Sequence, residues 1–260
     1  MEFKNKKSLG QNFLIDHNIL KKIVSVVKIA NTDKVIEVGP GTGNLTKYII
    51  DTHPKLIKVI EKDIRLVKIL DDKFKNKISI IHNDILKLTE DFYKDNFIIF
   101  GNLPYNISTK ILSNWCLSKN IKFKKLILMF QKEVADRIIA KENTKEYSRI
   151  TILANWKFKV KKIFDINPHC FYPKPKIKSS LLELTPKKNL IEIQNPNNIE
   201  HITRIFFNQR RKMIKKNFMR LFKNFNYVSE KMNIQLTDRP QTIPVNKFLM
   251  IIKEYEKNLN

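Results

Sequence analysis

The sequence predicts an α/β protein, in which an open, mostly parallel sheet is followed by a small all-helical C-terminal domain. Apolar runs of strand length alternate with helix-period segments as far as Val134–Ala140. Thr185–Asn198 is polar, contains prolines and indicates a linker. The segment after it, Ile199–Asn260, has helical periodicity. We therefore expect a catalytic domain over residues 1–190 and a helical domain over residues 198–260.

The first part of the chain supplies the sheet. Asp16 is a candidate N-cap for a first helix that carries Leu20, Ile23 and Val24 at helical spacing. Five apolar runs predict strands: Val35–Val38, Leu56–Ile60, Ile78–Ile81, Phe97–Phe100 and Leu126–Phe130. Helix-period residues follow all of them except Ile78–Ile81, at Leu45–Ile49, Ile64–Leu70, Ile111–Leu117 and Val134–Ala140.

Two more strands and a basic helix are predicted further on. Trp156–Ile163 and Ser179–Leu184 have strand character and are joined by the proline-rich loop Asp165–Lys178. In the C-terminal part, an apolar stripe predicts one helix whose other positions are crowded with basic residues. The stripe consists of Ile214, Phe218, Leu221, Phe222 and Phe225. The basic residues are Arg210, Arg211, Lys212, Lys215, Lys216, Arg220 and Lys223.

The charge of the chain points to a polyanionic partner. The sequence holds 50 Lys and Arg against 25 Asp and Glu, a formal net charge of +25. Such an excess is typical of proteins that bind nucleic acid or acidic membranes. Candidate phosphate contacts are Lys4, Lys6, Lys7, the Lys122–Lys125 cluster and Arg210–Lys223. If they bind RNA, affinity falls steeply with salt.

Several classes of protein are disfavoured. No apolar run approaches the roughly 18 residues that span a bilayer, and the N-terminus lacks the apolar core of a signal peptide. Cys116 and Cys170 are far apart, which argues against a disulfide scaffold or a zinc site and suits a reducing compartment. We expect a cytoplasmic monomer with no metal and no membrane partner.

Polar groups follow the predicted strands at one edge of the sheet. Gly39–Gly43, Glu61, Asp84 and Asn102 each stand where a parallel strand ends. Right-handed crossovers bring these ends to one edge, and ligands of open α/β sheets bind there. The glycine spacing is G-x-G-x-G, which misses the dinucleotide pattern by one residue. Glu61 can take two ribose hydroxyls and Asp84 an adenine amine, which favours S-adenosylmethionine over a nicotinamide dinucleotide.

The segment Asn102-Leu-Pro-Tyr105 suits an amino-purine substrate. The Asn102 amide oxygen and the Leu103 and Pro104 carbonyls can accept hydrogen bonds from an exocyclic amine. Pro104 stiffens the loop, and the Tyr105 ring can stack on a base. In the mechanism that we favour, the Asn102 side chain and the Pro104 carbonyl accept both amine hydrogens. The nitrogen lone pair then faces the methyl donor, and no strong general base is needed.

Motifs along nearly the whole chain resemble the KsgA family of S-adenosylmethionine-dependent rRNA adenine N6,N6-dimethyltransferases. The motifs that carry the resemblance are Gln11–Leu14, Glu37–Gly43, Asn102–Ser108, Gln131–Val134, Phe171–Pro175 and Phe207–Lys212. The resemblance implies a Rossmann-like class I methyltransferase sheet followed by a small helical, rRNA-binding domain. It also implies dimethylation of two adjacent adenosines near the 3′ end of small-subunit 16S rRNA, coupled to subunit maturation.

The resemblance assigns a role to individual residues. It implies that Asn12 and Leu14 line the cofactor pocket and that Gly39 lies against the methionine part of the cofactor. Glu61 takes the ribose hydroxyls, Asp84 takes the adenine amine, and Asn102 sits where cofactor and target base meet. Tyr105 and Phe171 are expected to flank the target adenine, although Tyr172 offers a second ring beside Phe171.

Two alternatives remain open. The macrolide-resistance rRNA methylases (the Erm group) share the Asn-x-Pro-Tyr chemistry but modify the large subunit. The segments Phe207–Arg211 and Gln131–Glu133 favour the small-subunit enzyme. A non-catalytic ribosome-assembly factor that binds RNA is the other alternative, and the intact Asn102–Tyr105 segment disfavours it.

Overall fold

The computed structural model describes residues 11–259, and all secondary structure below refers to that part of the chain. The strands are β1 (Phe13–Leu14), β2 (Lys34–Val38), β3 (Leu56–Glu61), β4 (Ser79–His82), β5 (Phe97–Asn102), β6 (Phe123–Gln131), β7 (Phe158–Ile166), β8 (Phe171–Tyr172) and β9 (Ser179–Pro186). The helices are α1 (His17–Ser25), α2 (Asn44–Ile50), α3 (Ile64–Phe74), α4 (Ser108–Leu117), α5 (Lys132–Ile138), α6 (Arg149–Lys157), α7 (Asn197–Phe207), α8 (Lys215–Leu221), α9 (Phe225–Lys231) and α10 (Val245–Lys257).

The main sheet has seven strands in the order β4-β3-β2-β5-β6-β9-β7. The five strands from β2 to β6 pair in parallel, and β9 pairs antiparallel with β6. The chain proceeds outward from β2 to β4 on one side and then returns to form β5 and β6 on the other. The direction of the strand order therefore reverses between β2 and β5, and a crevice forms at such a point. The predicted mostly parallel α/β sheet is confirmed.

The central strands read as continuous apolar runs because the sheet is buried on both faces. In β5, Phe97, Ile98, Ile99 and Phe100 all have 0% exposure. This strand extends two residues beyond the predicted run, so that Asn102 is its last residue and pairs with Met129. Asn102 thus has the fixed backbone of a strand and is not part of the following loop.

One predicted strand in the middle of the chain begins too early. Trp156 belongs to helix α6 and not to a strand, and the strand β7 begins only at Phe158. In α3, Leu66, Leu70 and Phe74 are buried, whereas Ile64 is 48% exposed. The loop Asp165–Lys178 contains the short strand β8, which pairs antiparallel with β1.

The single basic helix predicted in the C-terminal part is broken into two. Helix α8 ends at Leu221, Phe222 is extended with φ −134° and ψ 129°, and Phe225 begins α9. Arg210 and Arg211 lie in a turn and Lys212 in a bend, ahead of α8. Ile214, Phe218 and Phe222 are nevertheless buried, as the stripe predicted.

Contacts between Cα atoms divide the chain into two compact units. Among the described residues, unit 1 comprises 11–112, 120–135 and 160–186, and unit 2 comprises 113–119, 136–159 and 187–259. Unit 2 thus takes helix α6 in addition to the C-terminal helices, whereas the sequence suggested a single cut between residues 190 and 198. In unit 2, the hydroxyl of Tyr147 donates to the Ile243 carbonyl at 2.8 Å, and Phe248 packs against Phe206 and Phe207.

Candidate active site

A cavity of about 310 Å³ lies in unit 1 at the carboxyl ends of β2, β3 and β5. It contains all but two of the predicted site residues. Those that line it are Asn12, Gly39, Glu61, Asp84, Asn102, Pro104 and Tyr105. The carboxyl ends of parallel strands meet at one edge, and this is why residues so far apart in sequence share one cavity.

The glycine loop after β2 passes close to its neighbours. Gly39 has φ 68°, and a Cβ there would lie 3.3 Å from the Asn102 carbonyl oxygen. Gly41 has φ 59°, and a Cβ there would lie 2.5 Å from the Phe13 ring. Both positions therefore need glycine for backbone conformation as well as for space. Gly39 and Gly41 also line the cavity, so the glycine loop forms part of its wall.

Glu61 is the most buried carboxylate that lines the cavity, with 8% exposure. Its Oε1 accepts from the backbone N–H groups of Lys62 at 2.8 Å and Asp63 at 2.9 Å. Its Oε2 lies 3.3 Å from the N–H of Gly41. Burial raises the pKa of Glu61, and the three N–H groups oppose that rise. The side chain is thus held in one orientation as a hydrogen-bond acceptor.

Asp84 is the second carboxylate of the cavity. Its Oδ1 accepts from the Leu86 N–H at 3.0 Å, and its Oδ2 accepts from the Lys62 ammonium at 2.9 Å. The hydrogen bond from Lys62 is the main cause that lowers the pKa of Asp84. Asp84 is therefore ionised at neutral pH, and a carboxylate has enough lone pairs to accept a further hydrogen bond.

Asn102 is oriented by the arm, which we define as residues Gln11–Asp16. The Asn102 amide nitrogen Nδ2 donates to the Asn12 carbonyl oxygen at 2.8 Å. Since a carbonyl can only accept, this contact fixes which end of the amide is the nitrogen. The Asn102 Oδ1 is left as the acceptor end of a side chain that lines the cavity.

The Pro104 carbonyl is already used by the backbone. It accepts from the N–H groups of Ile107 at 3.1 Å and Ser108 at 3.0 Å, at the start of α4. Two hydrogen bonds occupy both lone pairs of a carbonyl oxygen. This oxygen is therefore a poor acceptor for an amine hydrogen of the substrate, although Pro104 does line the cavity.

Tyr105 is fixed at its far end. Its hydroxyl lies 2.6 Å from the Ser179 Oγ, at the beginning of β9. Ser179 has 0% exposure, and burial raises the pKa of Tyr105. The hydrogen bond holds the ring in one position beside the cavity.

Leu14 and Phe171 do not line the main cavity. They are partners in the β1–β8 pair and belong to the apolar core, and Phe171 is only 2% exposed. Leu14 lines a neighbouring small cavity together with Gly39 and Asn102. Tyr172, in contrast, is 61% exposed. Of the two adjacent rings, only Tyr172 has an accessible face in this structure.

Several supporting residues escaped the sequence analysis. Lys62 pairs with Asp84, Ser179 anchors Tyr105, and Gln11 donates to Asp63 at 3.0 Å. Asp63 also forms a short ion pair with Arg65, which lowers the pKa of its carboxyl. The only sequence signal was the second acid in Glu61-Lys62-Asp63. The contacts of Ser179 and Gln11 join residues that are far apart in the chain.

Some of the basic residues that were predicted to contact phosphates already have acidic partners, and others do not. Lys124 pairs with Asp33 at 2.6 Å and Lys125 pairs with Glu183 at 2.8 Å, so two members of the Lys122–Lys125 cluster already have acidic partners. In unit 2, most basic residues of Arg210–Lys223 are exposed, and no Asp or Glu occurs between residues 201 and 229. Lys4, Lys6 and Lys7 lie outside the described residues.

Within residues 11–259, no three His, Cys, Asp or Glu side chains are grouped so as to hold a metal ion. In the same residues, no helix is long and apolar enough to cross a membrane.

The strand order and the carboxylate-lined cavity at its reversal point suit a Rossmann-like, S-adenosylmethionine-dependent methyltransferase. Residues 2–257 match the model of the family described as ribosomal RNA adenine dimethylase. A protein named ribosomal RNA small subunit methyltransferase A from Pelagibacter ubique is 53% identical over 98% of both chains. One of the same name from Malacoplasma penetrans is 38% identical over 98% of this chain and 93% of its own. The chain belongs to the ribosomal RNA adenine dimethylase family.

Solved structures agree with this assignment. A dimethyladenosine transferase from Plasmodium falciparum superposes with a TM-score of 0.83 and 28% identity, over 94% of this chain and 98% of that one. The 23S rRNA methyltransferase ErmE superposes with a TM-score of 0.70 over 94% of this chain and 99% of its own. Its identity is 20%, so this second likeness shows the fold alone.

Proposed function

We propose that the protein dimethylates N6 of two adjacent adenosines near the 3′ end of small-subunit 16S rRNA, with S-adenosylmethionine as methyl donor. The observation that carries the proposal is the Asn102–Asn12 hydrogen bond of 2.8 Å inside a cavity that Glu61 and Asp84 also line. It presents an amide oxygen next to a nucleoside-sized cavity. The 53% identity with a protein named ribosomal RNA small subunit methyltransferase A supports the choice of substrate.

The cavity fits S-adenosylmethionine by the chemistry of its walls. Glu61 presents a buried carboxylate to two ribose hydroxyls, and Asp84 presents an ionised carboxylate to an adenine amine. Gly39 contributes backbone without a side chain to the cavity wall, where the methionine part would pass. Asn12 adds polar atoms from the arm. When bound, the cofactor supplies an electrophilic methyl group on a sulfonium.

The target amine needs two acceptors, and Asn102 Oδ1 is the first. Because the Pro104 carbonyl is occupied by helix α4, we assign the second to the Leu103 carbonyl, one residue earlier. Leu103 follows directly on the strand end and lines the same cavity. Two acceptors on the amine hydrogens favour a pyramidal N6 whose lone pair points at the methyl carbon.

Methyl transfer to this nitrogen does not need a strong base. The N6–methyl bond forms as the sulfur–methyl bond breaks, and the methylated nitrogen then releases one proton to water. The side chains contribute by positioning and by electrostatic stabilisation of the amine, which together can supply much of the acceleration. The target base must leave its stack to reach the cavity, and the anchored Tyr105 ring offers a platform for it. A stacking role for Phe171 stays a prediction, since its ring is buried here.

Unit 2 is proposed to bind rRNA through residues 201–229, a segment that contains no Asp or Glu. Residues 201–229 carry Arg204, Arg210, Arg211, Lys212, Lys215, Lys216, Arg220 and Lys223 with no acidic neighbour in the sequence. Such a surface suits phosphates and gives salt-dependent affinity. Coupling to subunit maturation, the monomeric state and the cytoplasmic location stay predictions.

The test is methyl transfer from labelled cofactor to purified, unmodified small ribosomal subunits, followed by nucleoside analysis. We expect N6,N6-dimethyladenosine in small subunits and none in large subunits treated in parallel. Label in large subunits alone would instead indicate an Erm-type enzyme. Binding to small subunits without any label would leave the assembly factor as the function.

A further inference from the structure

We name the loop Tyr172–Lys178 the proline loop. The proposed mechanism gives no role to its lysines. The loop reads Tyr-Pro-Lys-Pro-Lys-Ile-Lys, and its lysines occupy alternate positions. Lys174, Lys176 and Lys178 are exposed, and so are Tyr172 and Ile177. The sequence has no Asp or Glu between residues 166 and 182. The loop is therefore purely cationic and also has accessible apolar surface.

Both ends of the proline loop are tied to residues that line the cavity. At the first end, Tyr172 pairs with Phe13, whose side chain lies against Gly41. At the other end, the loop runs into Ser179, which is hydrogen-bonded to Tyr105. The Lys178 carbonyl also accepts from the Lys132 N–H at 2.9 Å. The loop is thus anchored beside the place where the target base is proposed to enter.

The prolines make this loop a stiff support for its charges. Pro173 and Pro175 have fixed φ angles, so the chain between the two anchors loses little conformational entropy when a ligand binds. Lysines on a preorganised segment can neutralise successive phosphates at a lower entropic cost than lysines on a floppy one. Lys174 is additionally placed by its contact of 3.1 Å with His169.

We propose that the proline loop binds the single-stranded RNA that flanks the target adenosine. Lys174, Lys176 and Lys178 contact its phosphates, and the Tyr172 ring stacks on a base next to the target. This inference rests on the proposed function, because the ligand is the strand whose base enters the cavity. It adds a binding surface in unit 1 that is separate from the basic segment of unit 2.

The experiment compares two variants of equal charge. One is Lys174→Gln/Lys176→Gln/Lys178→Gln, and its control is Lys21→Gln/Lys68→Gln/Lys77→Gln, which removes three exposed lysines from unit 1 outside the proline loop. Binding to unmodified small subunits is measured between 50 and 400 mM salt. We expect the slope of log K against log salt to fall by about 2 in the proline-loop variant, because each single-strand phosphate contributes roughly 0.7. The control should retain the wild-type slope.

Equal slopes in the two variants would overturn the inference. S-Adenosylhomocysteine affinity reports on folding, and it should match the wild type in both proteins. If the proline-loop triple variant loses S-adenosylhomocysteine affinity, the three single Lys→Gln variants replace it in the binding experiment. Each of them should lower the salt slope by about 0.7. Since binding is read independently of catalysis, a wild-type protein that binds but fails to methylate would count against the proposed function and not against this surface.

The aromatic part of the inference has its own variant. Tyr172→Ala should weaken binding to small subunits about tenfold or more, whereas Tyr172→Phe, which keeps the ring, should bind like the wild type. The salt slope should not change in either, because no charge is removed. Wild-type affinity of Tyr172→Ala would remove Tyr172 from the surface.

Discussion

Asn102 donates from its amide nitrogen to the backbone carbonyl oxygen of Asn12, across a gap of 90 residues in the sequence. The donor end of the amide is therefore held by the arm, and the acceptor end is available to a substrate amine. Asn102 stands at the end of strand β5, and its partner is a backbone carbonyl. Both features that orient its side chain therefore belong to the main chain. In the proposed function, this amide orientation would already be in place before the RNA arrives.

Asn102→Ala should strongly slow methyl transfer while the cofactor still binds. We expect the rate at saturating substrate to fall at least about a hundredfold, which is typical of losing one preorganised polar contact to the reacting group. S-Adenosylhomocysteine affinity, measured by calorimetry, should stay within a few-fold of the wild type. Asn96→Ala, an exposed residue just before the same strand, is the control. Unchanged turnover of Asn102→Ala would remove the side chain from the mechanism.

Glu61→Ala and Lys62→Met should affect cofactor binding to very different degrees. Glu61 is buried and fixed by three N–H groups, so its loss should weaken S-adenosylhomocysteine binding about tenfold or more. Lys62 is an exposed partner of Asp84, and its loss should cost only about two- to fivefold. Because salt screens exposed pairs, the Lys62→Met effect should shrink at 1 M salt. A larger loss for Lys62→Met than for Glu61→Ala would contradict the assignment of Glu61 to the ribose.

Glu37→Gln should stabilise the protein at alkaline pH. Glu37 is 2% exposed, accepts from Thr46 Oγ1 at 2.6 Å, and has its pKa raised to about 7, mainly by burial. As the pH rises above about 4.5, the unfolded chain loses this proton while the folded chain keeps it, and stability falls until about pH 7. Glutamine keeps the hydrogen bond without a charge. The gain in free energy of unfolding is expected to reach at most about 3 kcal/mol.

The Glu37 prediction is checked by melting temperatures between pH 5 and pH 8. The difference between Glu37→Gln and the wild type should be small at pH 5 and positive at pH 8. Glu192→Gln, at an exposed position, should show no such trend. A Glu37→Gln protein that melts below the wild type at pH 8 would show that the ionised carboxylate is stabilising.

Glu256→Ala should destabilise unit 2. This carboxylate is 4% exposed and accepts from the Gln194 N–H at 2.8 Å, the Asn195 N–H at 2.8 Å and the Asn198 amide at 3.0 Å. Its removal leaves these donors without that acceptor, at a cost of roughly 2–4 kcal/mol. Melting temperature and urea unfolding measure the effect, and Glu230→Ala at an exposed site serves as the control. Equal stability of the two variants would show that Glu256 is not needed to hold the start of α7.

The sequence was sufficient to predict which residues lie at the carboxyl edge of the sheet. It was insufficient where contacts between distant parts of the chain determine the structure. Strand ends carry their polar residues to one edge by topology alone, so Glu61, Asp84 and Asn102 could be placed together. Helix α6 was missed because Ile150 to Ala154 and Trp156 are buried almost all round, which removes the helical period from its pattern. The Pro104 carbonyl was assigned to the substrate because helix α4 was not expected to begin as early as Ser108.

The two-residue strands β1 and β8 were beyond prediction for a related reason. Neither has the length or alternation of a strand, and each is extended only because the other pairs with it. The anchors of Ser179 and Gln11 likewise join distant parts of the chain. Patterns within a short window carry no information on such partners.

The pairing of Phe13–Leu14 with Phe171–Tyr172 also sets a time order during synthesis. The ribosome makes the arm before the strands β2 to β7, and the partner strand β8 emerges only after all of them. Until then the arm has no β8 against which to align. A nascent chain is therefore expected to gain tight cofactor affinity late, so that unfinished enzyme does not sequester the methyl donor.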